Sequence, residues 1–215
     1  MIELTPEETL TLATYNRQAE RWSSNHSNSN FWEDEIAHFK DHLPAGRILE
    51  IGAGGGRDAK VLIDAGYEYL GTDISEGLLA QARLNNPGVS FEQVSVYDLD
   101  YEELFDGFWC SAVLLHIPRD RIDKALQAIH RNMKKGAVGF IAIKEGQGEK
   151  LETDDASTQS DERFFVYWTN DSFKEKLLGN GFEIVEEGYR PMSARTRWLT
   201  YIVKVEDVQQ ESSTT

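Results

Sequence analysis

Three carboxylates and one run of glycines are the residues of this chain whose types and spacing could do chemistry. Glu50 opens the segment Glu50-Ile51-Gly52-Ala53-Gly54-Gly55-Gly56, Asp73 closes the apolar stretch Tyr67 to Thr72, and Asp98 stands within Val96-Tyr97-Asp98-Leu99. Glycines permit positive φ and close backbone approach, so such a turn after a strand lets a nucleoside lie against it and against the next helix N-terminus. An acid ending a second strand can accept both ribose hydroxyls. An acid after a third strand can accept from an adenine amino group, with Tyr97 or Leu99 covering a face of the ring. Glycine clusters also serve purely structural turns, and the spacing of the acids is what adds weight. His116, in Leu115-His116-Ile117-Pro118, is the best placed general base. Its alternative role is a wall of an acceptor pocket.

These residues need a scaffold that brings them together. From Arg47 onward short apolar runs alternate with helical stretches, the pattern of repeated βα units around a parallel sheet. Strands are predicted over Arg47 to Ile51, Tyr67 to Thr72, Val89 to Val94, Phe108 to Leu115 and Ala137 to Ile143. Helices are predicted over Arg57 to Ala65, from Ser75 to about Asn86, and from Pro118 onward. The last carries Ile122, Leu126, Ile129 and Met133 at the spacing of a core-facing stripe and ends at Lys134-Lys135-Gly136. In a doubly wound sheet the carboxyl ends of adjacent strands lie side by side, so Glu50, Asp73 and Asp98 would line one crevice.

Residues 1–45 are expected to form a helical arm or lid, 46–206 the ligand-binding domain and 207–215 a disordered tail. Thr5-Pro6-Glu7-Glu8 carries a capping-box helix start, and that helix is expected to reach about Trp22. The polar excursion Glu145 to Arg163 is too long for an ordinary connection and has the character of a lid or a disordered loop. A late helix begins at Asn170, and Phe182 to Val185 with Trp198 to Val205 make a terminal hairpin. Tyr15, Arg21 and Trp22 of the arm either close over the site or pack structurally. Lys144, Arg163 and Tyr167 are expected to border an acceptor pocket.

Composition narrows the classes further. The 215 residues carry 22 Lys plus Arg against 37 Asp plus Glu, a net charge of −15, with 40% hydrophobic residues. That apolar content indicates a folded domain, and the acidic balance weighs against nucleic acid as a partner. No apolar run approaches the roughly 20 residues of a membrane span. The segment MIELTPEETL has no secretory pattern, which suggests the cytoplasm. Cys110 is the sole cysteine, excluding intramolecular disulfides and thiolate zinc clusters. His38 and His42 stand four apart without a flanking acid, so no metal is expected.

With these motifs in place, the chain from about Arg47 to Val205 resembles the class I S-adenosylmethionine-dependent methyltransferases. Their E-x-G-x-G-x-G motif is met by Glu50, Gly52, Gly54 and Gly56, and Lys134 to Ala142 resembles a later motif with Ala137 in place of a second glycine. The resemblance implies an α/β fold: a Rossmann-like, doubly wound, seven-stranded sheet with an antiparallel last strand in a three-layer αβα sandwich. It implies S-adenosyl-L-methionine as cofactor, with Asp73 on the ribose, Asp98 on the adenine amino group and Gly52, Ala53 and Gly54 beside the methionine portion. Glu50 would order the loop, and Ile74, Tyr97, Leu99 and Leu114 would line the cofactor. Arg57 would sit near the methionine carboxylate or pair with Asp58 or Glu50. The implied activity is methyl transfer to an N, O or S atom of a small molecule, a protein acceptor standing second. Two alternatives stay open. Gly54-x-Gly56-x-x-Ala59 also satisfies a dinucleotide fingerprint, which would suit an NAD(P)-binding oxidoreductase. A non-catalytic nucleotide-binding regulatory module is the other.

Overall fold

The computed structural model describes residues 2–28, 30–153, 161–191 and 196–206. Its seven-stranded sheet comprises β1 (Arg47–Ile51), β2 (Glu68–Asp73), β3 (Phe91–Gln93), β4 (Phe105–Ser111), β5 (Met133–Lys144), β8 (Phe182–Pro191) and β9 (Arg197–Val205). The order is β3-β2-β1-β4-β5-β9-β8. Strands β1 to β5 pair in parallel, and β9 runs antiparallel between β5 and β8. This is the Rossmann-like architecture with an antiparallel last strand that the family resemblance implied.

Alternation along the central strands explains the three layers. Leu49 and Ile51 of β1, Phe108 and Cys110 of β4 and Ile141 and Ile143 of β5 join one core. Into it α5 (Ile122–Arg131) places Ile122, Ala125, Leu126 and Ile129, and α6 (Asn170–Gly179) places Phe173 and Leu177. Ile48, Trp109, Phe140 and Ala142 face the opposite way, toward Ile36 and Phe39 of α2 (Glu33–His42) and Leu62 of α3 (Ala59–Asp64). A strand buried on both faces shows the near-continuous apolar run seen in Phe140-Ile141-Ala142-Ile143.

Several boundaries differ from expectation, each for a local reason. Strand β4 stops at Ser111 because Ala112 takes φ +61° and Leu114–His116 wind into a 3-10 turn, so the apolar letters to Leu115 continue as a turn. Met133 does not end α5 but begins β5, where it pairs with Phe105. The excursion after β5 contains β6 (Glu149–Glu152), paired antiparallel with β7 (Arg163–Val166); its residues 154–160, like the tail 207–215, lie outside the described residues. His38 and His42 share one acid that the sequence spacing hid: they approach Oε1 and Oε2 of Glu186 on β8 at 2.5 and 3.3 Å, tying α2 to the sheet edge.

The amino-terminal segment folds as α1 (Pro6–Asn25), one turn longer than predicted. Thr5 Oγ1 accepts from the Glu8 amide (3.2 Å) and Glu8 Oε2 accepts from the Thr5 amide (2.8 Å), the reciprocal capping box read from the sequence. The helix is not a free arm: it packs across α4 (Glu76–Asn85) and β7. No helix among the described residues is long and apolar enough to cross a membrane.

Candidate active site

The turn after β1 is held open by its own hydrogen bonds. The Ala53 amide donates to the Thr72 carbonyl (2.7 Å), the Gly54 amide to Asp73 Oδ2 (2.9 Å) and the Ser75 amide to Asp73 Oδ1 (2.8 Å). The Ile74 amide bears on the same carboxylate, which still keeps acceptor capacity beyond these amides. Gly52 and Gly54 have φ of +73° and +56°. A side chain on Gly52 would overlap Val113, whereas one on Gly54 would meet nothing within 4 Å, so Gly54 presents bare backbone to open space.

That space is a cleft of about 1250 Å³ at the carboxyl ends of β1, β2, β4 and β5, beneath α1. Glu50, Gly52, Ala53, Gly54, Arg57, Asp73, Ile74 and Tyr97 all line it. At its base the Tyr69 hydroxyl donates to Glu50, whose carboxyl is pushed up to about 8, by burial first and by the charge of Asp58 second. Arg57 resolves to Asp58, donating through Nε (2.6 Å) and Nη2 (2.8 Å), and the Trp109 indole donates to the same carboxylate at 3.2 Å. Burial raises the Asp73 carboxyl, against the lowering effect of the amides it accepts from.

Three expected cofactor residues fall elsewhere. Ser95 Oγ accepts from the Tyr97 amide (3.3 Å) and starts a 3-10 turn over Val96–Asp98. That turn carries the Asp98 carboxylate off the cleft wall to the Ile2 amide at 3.0 Å, while Val94, Ser95, Val96 and Tyr97 line the cleft in its stead. Leu99 is fully buried in the core beyond. Leu114 is buried likewise, and the 3-10 turn over Leu114–His116 presents Leu115 and His116 to the cleft instead.

At the other end His116 is gripped from both sides. Its Nδ1 lies 2.5 Å from the Phe164 carbonyl, which can only accept, so Nδ1 carries the proton and Nε2 is left to accept from the Tyr15 hydroxyl at 2.8 Å. Arg163 Nη1 donates to the same hydroxyl oxygen at 3.3 Å. Burial pushes the His116 pKa down to about 3; the Phe164 carbonyl opposes this, and the positive charges of Arg163 and Lys144 add to it. Tyr15, Trp22, Lys144 and Arg163 line the cleft. Tyr167 does not: its hydroxyl turns to Glu152 at 2.7 Å, on the β6–β7 hairpin.

Sequence spacing did not reveal how α1 is fastened over this cleft. Asp161 accepts from Gln18 (2.7 Å) and Arg21 (3.0 Å), Asn16 Oδ1 accepts from the Ser75 hydroxyl (2.8 Å) and the Gly77 amide (2.9 Å), and the Tyr97 hydroxyl donates to Glu8 at 2.6 Å. These partners stand 59 to 143 positions apart, so no local pattern announces them. Two buried polar atoms of cleft residues, Trp32 Nε1 and Ser111 Oγ, have no hydrogen-bond partner.

Residues 48–136 match the family model for the methyltransferase domain. The chain is 39% identical over 112 residues to trans-aconitate 2-methyltransferase of Methylobacterium nodulans, covering 51% of this chain and 42% of that protein. It is 33% identical over 117 residues to a ubiquinone biosynthesis O-methyltransferase of Pseudomonas syringae pv. tomato, covering 52% of this chain and 48% of the relative. The chain thus matches less than half the length of these curated relatives. Among solved structures, Burkholderia thailandensis 1,6-didemethyltoxoflavin-N1-methyltransferase, with bound 1,6-didemethyltoxoflavin and S-adenosylhomocysteine, superposes with a TM-score of 0.76 at 20% identity. That likeness covers 96% of this chain and 93% of the other, and it is a likeness of fold. With its motifs, sheet order and relatives together, the chain is similar to the class I S-adenosylmethionine-dependent methyltransferases, and residues 48–136 carry the methyltransferase-domain match.

Proposed function

We propose that this protein binds S-adenosyl-L-methionine and transfers its methyl group to an N, O or S atom of a small-molecule acceptor. One observation carries the reading: Asp73, whose partners are backbone amides alone, lines the same cleft as His116, Tyr15 and Lys144. In this reading Asp73 takes the two ribose hydroxyls, the wall from Val94 to Tyr97 takes the adenine, and the Gly52 to Gly54 backbone faces the methionine portion. The sulfonium cation suits a cleft lined by the Asp73 carboxylate better than a pyrophosphate would. Glu50 and the Arg57–Asp58 pair brace the loop from beneath.

S-Adenosylmethionine supplies an activated methyl on a good leaving group, so the protein's task is alignment. Tyr15 and His116 border the acceptor end as positioning groups, because an imidazole held neutral with Nε2 occupied has little capacity to take a proton. Helix α1 serves as the cover of the site, and residues 46–206 form the binding domain. A small acceptor fits an enclosed end better than a protein does, and the single buried cysteine suits a reducing cytoplasm. Calorimetry with S-adenosylmethionine and, separately, NAD tests the reading: micromolar binding of the former without the latter is expected. Preferential binding of NAD would refute it, and methyl-donor binding with no product across an acceptor screen would favour the regulatory module.

A further inference from the structure

The two unpartnered atoms of the cleft, Trp32 Nε1 and Ser111 Oγ, belong to one corner of it. Side chains alternate along a strand, so Ser111 shares a face of β4 with Trp109, and in register it stands beside Ala142, two residues on from Phe140. Trp109 stacks on Phe140 at 3.9 Å, and Phe140 meets the Trp32 ring edge to face at 5.5 Å. This corner adjoins the acceptor end. Trp32 lies 5.7 Å ring to ring from Trp198, the register partner of Lys144, and the Phe165 ring beneath the Lys144 ammonium leans on His116 at 4.8 Å. Both polar residues also close an element: Trp32, 1% exposed, precedes the first turn of α2, and Ser111 precedes Ala112 with its φ of +61°. Side chains at such ends turn toward a ligand without disturbing the sheet or helix behind them. The cations around the corner are engaged already. Arg190, over the Trp32 ring, pairs with Glu35 at 2.5 Å, and Arg57, over the Phe31 ring, pairs with Asp58 at 2.6 Å. Arg163 donates to the Tyr15 hydroxyl at 3.3 Å, and Lys144 Nζ sits 4.1 Å from the Phe165 centroid. The polar capacity left is uncharged: an indole that only donates and a hydroxyl that donates or accepts. Its complement is a carbonyl oxygen beside a second polar atom, whereas a carboxylate buried there would lack a cation of its own.

We propose that Trp32 and Ser111 select a flat, uncharged methyl acceptor by its carbonyl edge. The Trp32 N–H donates to the carbonyl oxygen, the Ser111 hydroxyl takes the adjacent polar atom, and the rings of Phe165 and Trp198 supply faces for the ligand. The inference deepens the methyl-transfer reading and rests on it. A buried polar group without a partner weakens the fold that carries it, and a ligand that pairs it recovers the loss as affinity. Ser111→Ala therefore separates a recognition role from a packing role, because it deletes an unmet hydroxyl and leaves the shape of the wall almost unchanged.

The test is calorimetry on the full chain saturated with S-adenosylhomocysteine. The probes are oxindole and 2-quinolone, neutral lactams with a carbonyl beside an N–H; indole, which lacks the carbonyl; and indole-2-carboxylate, which is charged. The lactams should bind roughly tenfold more tightly than indole, the gain of one or two neutral hydrogen bonds in a buried site, and more tightly than the acid. Trp32→Phe removes the N–H but also ring volume, which weakens every probe alike and cancels in the lactam-to-indole ratio; that ratio should fall to within about threefold of one. Ser111→Ala should lower the ratio too, with the melting temperature of the unliganded protein unchanged or raised. Affinity for S-adenosylhomocysteine in each variant is the folding control. Indole or the acid binding as tightly as the lactams, a ratio that survives in both variants, or no probe binding the saturated protein would overturn the acceptor class alone. Failure of S-adenosylhomocysteine to bind the wild type would instead overturn the methyl-donor reading beneath it.

Discussion

Replacing Asp73 with Ala isolates the contact on which the cofactor reading turns. The Asp73 carboxylate already accepts the Gly54 and Ser75 amides, one on each oxygen, so the substitution removes two things: order in the turn and acceptors for the ribose. A comparison of ligands separates them. Two charge-assisted hydrogen bonds to the 2′- and 3′-hydroxyls, set against their desolvation, should contribute roughly 2–4 kcal/mol, or about thirty- to seven-hundredfold in affinity. Wild-type protein should therefore bind adenosine more tightly than 2′,3′-dideoxyadenosine by about that factor. Loosening of the turn weakens both ligands alike and cancels in the cycle, so Asp73→Ala should bind the two with nearly equal affinity. Competition against a fluorescent adenosine conjugate gives all four constants. If Asp73→Ala keeps the full preference for adenosine, the ribose contact assigned to this carboxylate is wrong, whatever happens to overall affinity.

Two further outcomes follow from the buried titratable groups. With the His116 pKa near 3, the imidazole stays neutral from pH 5 to 9, so kcat/KM for methyl transfer should show no inflection from it, and His116→Gln should lower the rate roughly tenfold through lost orientation of Tyr15 with a parallel pH profile. A wild-type inflection near pH 6–7 that the variant lacks would restore the base role. Glu50 holds its proton in the fold up to about pH 8 but loses it near 4.5 when unfolded, so its contribution to stability falls as pH rises through that window and levels off above it. Urea denaturation at pH 5 and pH 8 should show Glu50→Gln gaining on the wild type by as much as a few kcal/mol at the higher pH; identical pH dependence of the two proteins would contradict a protonated Glu50.

What could be read in advance was whatever depends on neighbours in the chain. The glycine turn after β1, the capping box of α1 and the apolar stripe of α5 from Ile122 to Ile129 are local patterns, and they stand where their spacing placed them; only Met133, the last of the stripe, passes to β5. Asp73 does too: it closes β2, and the carboxyl ends of the parallel strands border the crevice. Asp98 differs from expectation because a 3-10 turn begun by Ser95 puts Val94 to Tyr97 along the cleft and the Asp98 carboxylate against the Ile2 amide, and no alternation of residue types encodes that turn. Tyr167 failed for a similar reason, since the β6–β7 hairpin that turns its hydroxyl toward Glu152 is stitched between segments with almost no apolar periodicity. The Tyr15–His116–Arg163 chain, the Asp161 clasp and the anchoring of Asn16 depend on contacts across the whole molecule and left no trace in spacing.

The roof of the cleft has its own place in time. Helix α1 is synthesised before the elements it packs against, yet three of the groups that fasten it, Asp161, the Glu162 carbonyl that takes the Thr14 hydroxyl and the Phe164 amide that meets Thr11, come 140 to 153 residues later. The turn after β1 and its hydrogen bond to Asp73 can form once β2 has emerged, whereas Thr11 and Thr14 meet their partners only when β7 arrives. The contacts between α1 and β7 are thus among those of greatest sequence separation in the described fold, the class that forms slowest.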